Sequence, residues 1–129
     1  MTRINFKREL ADSVDHAIER ITKALAAEGF GILTRIDMDG KIKEKTGKDI
    51  IPTVILGACN PHLAYEAYTA NSDVASLLPC NAVIREVAPG KVSVELAAPT
   101  ALMRILDDAK LIELARDADA RLERALASA

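Results

Sequence analysis

The two cysteines are the residues of this chain with the most distinctive chemistry. Cys59 begins the run Cys59-Asn60-Pro61, at the point where an apolar stretch gives way to a helical pattern. Asn60 and Pro61 are the residue types that open a helix, an N-cap followed by proline in the first turn. A thiol near the positive end of a helix dipole tends toward thiolate, whereas burial without a cation raises its pKa. Cys59 is therefore either a functional thiol or a small core residue, and both interpretations stay open.

His62 and Cys80 are the other side chains that a site at this helix start could use. His62 follows Cys59 at a spacing that can place two ligands on one metal, although two ligands make a poor site. Haem or metal held by this pair is the weaker interpretation, and no cofactor or metal is required. Cys80 either lines a ligand site or fills space after a proline. The candidate ligand-binding residues are Cys59, Asn60, Pro61, His62 and Cys80, and Cys59 is the catalytic residue if there is one.

A polar segment, KIKEKTGKD, places four lysines among acidic residues. Such a charged run is usually a solvated turn. The alternative hypothesis is that one or two of these lysines close over an anion held by the backbone N–H groups at the Asn60 helix start. The four are Lys41, Lys43, Lys45 and Lys48.

Composition and motif content exclude several classes of protein. The 129 residues fit a single domain, 1–129, and their 50% hydrophobic and 28% charged content is typical of a globular chain. A net charge of −2 and four aromatic residues argue against nucleic-acid binding. There is no Gly-rich phosphate loop, GxSxG elbow or HExxH motif. The longest apolar run is about half the length that spans a bilayer, so we expect a soluble cytoplasmic protein whose cysteines stay reduced.

Hydrophobic periodicity predicts the elements that must position the cysteines. A first strand is followed by a helix from the N-cap Ser13 to Gly29, then by a second strand. The polar segment predicts one helical turn, and IIPTVILGA predicts a third strand that ends beside Cys59. After the Asn60 helix come two hairpin strands, NAVIREV and KVSVELA, and a helical tail that Pro99 opens. The order β-α-β-β-α-β-β-α predicts an α+β two-layer sandwich, a ferredoxin-like core with an extra strand and a C-terminal helix.

This predicted topology places the two thiols far apart. If the third and fourth strands run parallel, the end of one and the start of the other lie at opposite edges of the sheet. The intervening helix spans about 15 Å, whereas a disulfide needs Cα atoms within about 7 Å. Only a segment TANSDVASLLP that doubles back could bring Cys59 and Cys80 together.

Five short elements resemble a known family when taken together. They are Gly29-Phe30-Gly31, Ile36-Asp37, Cys59-Asn60-Pro61, Leu78-Pro79-Cys80 and Pro99. In this order they resemble the prokaryotic domain-of-unknown-function family numbered 302, over nearly the whole chain. The resemblance implies a compact α+β domain, a homodimer, and no established activity.

Three hypotheses for function follow. The preferred one is a small binding domain whose pocket lies by the start of the Asn60 helix and takes an anionic or thiol-reactive small molecule. The second is a thiol redox or sulfur-transfer enzyme that uses Cys59 as nucleophile, which requires a depressed thiol pKa. The third is a structural or partner-binding dimeric module with inert cysteines. The sequence favours a non-enzymatic role, with neither nucleic acid nor membrane as partner.

Overall fold

A computed structural model describes residues 3–129 of the chain. Its elements are β1 (Asn5–Leu10), α1 (Val14–Ala27), β2 (Gly31–Asp37), α2 (Met38–Thr46), β3 (Thr53–Cys59), α3 (Pro61–Ala70), a 3₁₀ segment (Ser72–Leu77), β4 (Cys80–Ala88), β5 (Lys91–Ala97), α4 (Pro99–Met103), a 3₁₀ turn (Arg104–Leu106) and α5 (Ala109–Ser128). None of the helices in residues 3–129 is long and apolar enough to cross a membrane.

The five strands form one antiparallel sheet in the order β1-β5-β4-β3-β2. The α+β class is confirmed, and the strands and long helices follow in the predicted order. The parallel relation expected of the third and fourth strands is wrong, because β3 and β4 are antiparallel neighbours. The sheet also differs from a ferredoxin-like core in that β1 lies at an edge, beside β5. The three consecutive charged residues of β1, Lys7, Arg8 and Glu9, suit an edge strand.

Helices α1 and α5 cover one face of the sheet. The main hydrophobic cluster joins Ile21 and Leu25 of α1 and Leu122 of α5 to inward-facing strand residues such as Leu56 and Ile84. All five side chains are at most 2% exposed. Burial on this scale contributes roughly 1.5–3 kcal/mol for each side chain and fixes which strand residues face inward.

Predicted caps define both ends of α1. The Ser13 side chain accepts a hydrogen bond from the His16 N–H at 3.1 Å, and Gly29 follows the helix with a left-handed φ of 86°. Gly29 and the next residue then turn the chain into β2, as the sequence predicts.

The polar segment forms a longer helix than the predicted single turn. Helix α2 runs for nine residues, Met38–Thr46, with Gly40 inside it. Gly47 ends the helix with φ at 72°, and its N–H donates to the Lys43 carbonyl at 2.9 Å. Basic residues in the last turn favour this extension because they interact with the negative end of the helix dipole.

A second, smaller hydrophobic cluster lies under α3 and beside α4 and α5. Its buried members are Ala67, Val74, Met103, Leu111 and Ala115. Asp108 begins α5 by accepting hydrogen bonds from the backbone N–H groups of Lys110 and Leu111. Residues 3–129 therefore form two apolar clusters, and the candidate site lies where they meet.

Candidate functional site

The structure places Cys59 and Cys80 close together. In the β3–β4 ladder, Ala58 lies opposite Cys80, and Cys59 is the next residue along β3. Antiparallel partners are about 5 Å apart, so the Cα atoms of the two cysteines are separated by about 6 Å. The predicted separation of the two residues is wrong, because α3 and the 3₁₀ segment fold the chain back on itself. Cys59 is one position beyond Ala58, the partner of Cys80, so the side chains of the two cysteines point to opposite faces of the sheet.

An apolar cavity lies beside the two cysteines. Its volume is about 50 Å³, and it is partly open to solvent. Phe30 and Ala58 of the main cluster and Met103 and Leu111 of the smaller cluster contribute to its wall. The space exists because small side chains line α3 and α5, and they are Ala64, Ala67, Ala115 and Ala118.

Asn60 connects this cavity to the end of α1. Its side-chain oxygen accepts a hydrogen bond from the Leu63 N–H at 3.2 Å, and its Nδ2 donates to the Glu28 carbonyl at 3.5 Å. Gly29 is needed here for two reasons, its left-handed φ and the 3.0 Å that would separate a Cβ from Nδ2 of Asn60. The sequence motifs Gly29-Phe30-Gly31 and Cys59-Asn60-Pro61 therefore lie next to each other in the folded protein.

Pro61 and His62 lie outside the cavity wall. Both are exposed on the first turn of α3, whereas Cys59, Asn60 and Cys80 contribute to the wall. Within residues 3–129, no group of three His, Cys, Asp or Glu side chains is placed to hold a metal ion. A haem or metal site that uses His62 is therefore not what the geometry favours.

The lysine-rich segment lies at the other end of the sheet. Helix α2 follows the end of β2, where Asp37 is opposite Val54, whereas Cys59 is opposite Gly31 at the start of β2. The hypothesis that these lysines close over an anion at the Asn60 helix is therefore wrong. Two of them instead form exposed ion pairs, Lys41 with Glu44 and Lys43 with Asp49.

We compared the sequence with profiles of known protein families to identify the family of this chain. The family profile described as "Domain of unknown function DUF302" matches residues 6–129. This chain belongs to the DUF302 family. The resemblance noted in the sequence is thereby confirmed.

A solved structure of another DUF302 protein has the same fold. It is the crystal structure of an uncharacterized conserved protein from Bacillus stearothermophilus, 31% identical in sequence, with a TM-score of 0.91. The match covers 98% of each chain. No curated protein matches the sequence. The family relation therefore fixes the fold and leaves the function to the chemistry of the site.

Burial controls the ionisation of both thiols in this DUF302 domain. Burial raises the pKa of Cys59 above its usual value. Burial, the neighbouring Cys59 thiol and the Asp119 carboxylate together raise the pKa of Cys80 to about 11. At neutral pH both groups are therefore protonated, and the dipole of α3 does not produce the thiolate that a nucleophilic Cys59 requires.

We expect this ionisation to appear in the pH dependence of alkylation. Because only the thiolate reacts, the rate at each cysteine should stay slow below pH 8 and rise about tenfold per pH unit above it. The rate should be measured on the intact protein and assigned by peptide mapping. In the same protein unfolded in urea, the rate should level off as ordinary thiols titrate near pH 8.5. A plateau below pH 8 in the folded protein would show a stabilised thiolate instead.

Sequence reasoning missed the part of the wall that α4 and α5 contribute. Met103 and Leu111 lie more than twenty residues from either cysteine and carry no motif. The available signal was the stripe of small residues on the C-terminal helix, where Ala115 and Ala118 occupy positions that face inward. Such a stripe either packs closely against a neighbour or leaves space, and the sequence does not distinguish these outcomes.

Proposed function

We propose that this DUF302 domain is a binding protein for a small thiol-reactive ligand. The ligand occupies the cavity beside the start of α3 and contacts Cys59 and Cys80. The observation that supports the proposal is that both cysteine residues contribute to the wall of one partly open apolar cavity. A reducing cytoplasm, the compartment that we propose, keeps such a pair available as free thiols.

An apolar wall favours a thiol-reactive ligand over an anionic one. An anion in this cavity would lose its hydration and would need donors to replace it. The carboxamide of Asn60 already bonds to Leu63 and Glu28, and the lysines of α2 lie at the far end of the sheet. A cavity of about 50 Å³ has room for roughly four water-sized atoms, so the ligand is small.

Binding is also favoured over catalysis by Cys59. A nucleophilic cysteine needs a base, a cation or a depressed pKa, and burial raises the pKa of both thiols. His62, the histidine nearest to Cys59 in sequence, is exposed and outside the cavity wall. The redox or sulfur-transfer alternative therefore lacks the group that would activate its nucleophile.

Two alkylating reagents that differ in charge test the proposal. Iodoacetamide is neutral and iodoacetate is anionic, but both alkylate thiols by the same displacement. In the folded protein we expect the ratio of their rates to favour iodoacetamide at least about tenfold more than it does in urea, because a carboxylate is costly to bury. Equal ratios in the folded and unfolded protein would show that the thiols react outside an apolar cavity.

Two alanine-to-leucine substitutions in α3, one on the cavity wall and one away from it, test whether a reagent reaches the cysteines through the cavity. Ala64 lies on the cavity wall, whereas Ala70 is exposed at the end of the same helix. Ala64→Leu should slow alkylation of both cysteines by iodoacetamide, and Ala70→Leu should leave it unchanged. Circular dichroism should show that both variants are folded. Unchanged rates in Ala64→Leu would contradict a ligand route through this cavity.

The homodimer is a separate prediction. Edge strand β2 exposes two apolar side chains, Leu33 (65% exposed) and Ile36 (41% exposed), and an exposed apolar edge can pair with a second copy. Sedimentation at micromolar concentration is expected to give twice the 13.9 kDa mass of the chain. Leu33→Glu should shift the dimer toward monomer, whereas Ile105→Glu, at another exposed position, should not. A mass of 13.9 kDa throughout would contradict the prediction.

A further inference from the structure

A series of hydrogen-bonded polar groups lies at the start of α1, and none of its residues lines the cavity. Oδ1 of Asp12 accepts a hydrogen bond from the Ser13 N–H at 2.8 Å. Oδ2 of Asp12 contacts Nδ1 of His16 at 2.7 Å and Nη1 of Arg20 at 2.9 Å. Arg20 also donates through Nη2 to the Ala129 carbonyl at 3.0 Å. The Asp12 side chain is 13% exposed and the His16 side chain 61% exposed, so a shielded carboxylate holds an imidazole that faces solvent.

The contact with Asp12 fixes which nitrogen of the His16 ring carries the proton. An ionised carboxylate only accepts hydrogen bonds, so the nitrogen that faces it, Nδ1, is the protonated one. The Arg20 guanidinium lowers the pKa of Asp12 below its usual value, so this carboxylate is ionised at neutral pH. In the neutral ring, Nε2 then keeps its lone pair, and a carboxylate partner raises the basicity of the imidazole that it orients. His16 therefore presents an oriented nucleophilic nitrogen on an open surface.

We propose that His16 is a phosphorylation site, at which Nε2 accepts a phosphoryl group from a small acyl phosphate. The lone pair of Nε2 forms a bond to phosphorus as the bond between phosphorus and the acyl oxygen breaks. The carboxylate of the donor leaves with that electron pair, and no oxidation or reduction takes place. The ring keeps its Nδ1 proton and becomes positively charged, and the Asp12 carboxylate stabilises that charge. This site is separate from the ligand cavity, so the inference does not rest on the proposed function.

Other roles of an oriented histidine suit this position less well. A bound metal ion needs further ligands, and the described residues, 3–129, contain no group of three His, Cys, Asp or Glu side chains that could hold one. A general base acts on a substrate that a pocket encloses, whereas most of the His16 side chain is open to solvent. Phosphoryl transfer from a small donor requires an accessible nucleophile, which is what the geometry provides.

The charges around the ring act on an incoming dianion in both directions. His16 lies in the first turn of a 14-residue helix, whose positive end attracts anions. Asp15 and Glu19 are exposed on the same helix and oppose a dianion, whereas the charge of Asp12 is compensated by Arg20. Exposed charges contribute little, because solvent screens them. We therefore expect the orientation of the ring by Asp12, and not attraction of the donor, to determine the rate of phosphorylation.

The second histidine of the chain provides an internal control. His62 is also exposed in the first turn of a helix, but within residues 3–129 only His16 pairs with a carboxylate. The intact protein should be treated with acetyl phosphate at about pH 8, where histidine is ordinarily neutral. Phosphohistidine is then measured by ³¹P NMR and by peptide mapping under alkaline conditions. We expect His16 to react at least about tenfold faster than His62, the lower end of what an orienting partner contributes. Equal rates, or no phosphohistidine, would overturn the proposal.

Two variants test whether Asp12 positions the ring. Asp12→Asn should lower the rate at His16 to that at His62. Asp15→Asn removes a carboxylate of the same helical turn that does not contact the ring, and it should change the rate by less than about twofold. ¹⁵N NMR should show the proton on Nδ1 of His16 in the wild type and the loss of this preference in Asp12→Asn. Far-UV circular dichroism and the rate at His62 in the same sample show that each variant is folded. If Asp12→Asn leaves the ratio of the two rates unchanged, the contact is only a surface ion pair and the proposal is wrong.

Discussion

The substitution Leu111→Ala is expected to lower the free energy of unfolding by about 3 kcal/mol and to widen the cavity. Leu111 is 1% exposed, belongs to the smaller cluster and forms part of the cavity wall. Removing its branched end loses buried apolar contacts, and the vacated volume joins a space that already exists. Urea unfolding followed by circular dichroism measures the loss of stability.

A matched substitution separates the wider cavity from lost stability. Leu122 is 2% exposed in the same helix, but it belongs to the main cluster and does not line the cavity. Leu122→Ala should destabilise the protein by a similar amount. Only Leu111→Ala should speed the reaction of the cysteines with the bulkier reagent N-ethylmaleimide relative to iodoacetamide. An equal change in both variants would show that alkylation follows global opening of the fold.

The sequence predicts those features of the fold that local chemistry determines. Ser13 and Gly29 define the ends of α1, and Asn60 begins α3. Alternation of Val92 and Val94 marks the inward face of β5, because strand residues point alternately to the two faces of a sheet. These features depend on neighbours within a few residues, so the pattern alone is enough to predict them.

The relation between β3 and β4 depends on longer-range packing and was not predicted. A helix between two strands is common in parallel and in antiparallel arrangements, and its length alone does not decide between them. Here the 3₁₀ segment and the Leu-Pro-Cys run return the chain to the start of β4 beside Cys59. The sequence identified the two cysteines as candidates, but their proximity depends on how the segment 71–79 packs against β3.

The apolar wall of the cavity is a second feature of the site that the sequence did not predict. The wall depends on Met103 and Leu111, which reach the cavity because α5 packs against α3 and α4 packs against α5. Hydrophobic periodicity predicts that such residues are buried but not which other elements they contact. The depressed thiol pKa that the Cys59-Asn60 motif allowed is likewise reversed by this apolar packing.

Gly57 is the residue of β3 on which the return of the chain depends. A Cβ at this position would lie 2.8 Å from Cγ of Pro79 and closer still to Oγ1 of Thr34. The proline ring is rigid and directly precedes Cys80, and Thr34 belongs to the paired strand β2. Gly57→Ala is therefore expected to destabilise the protein by roughly 3 kcal/mol, the upper end for overpacking. It should also displace Cys80, which directly follows Pro79.

Urea unfolding of four variants, Gly31→Ala, Gly57→Ala, Thr34→Ala and the Gly57→Ala/Thr34→Ala double variant, tests this explanation. Gly31→Ala is the control, because a Cβ on Gly31 meets no atom within 4 Å, and it should change stability by less than about 0.5 kcal/mol. Adding Thr34→Ala to Gly57→Ala removes one of the two close contacts and should recover part of the loss, which a double-mutant cycle measures. If Gly57→Ala is as stable as the wild type, Pro79 does not pack on β3. The position assigned to Cys80, and the cavity wall that it forms with Cys59, would then be wrong.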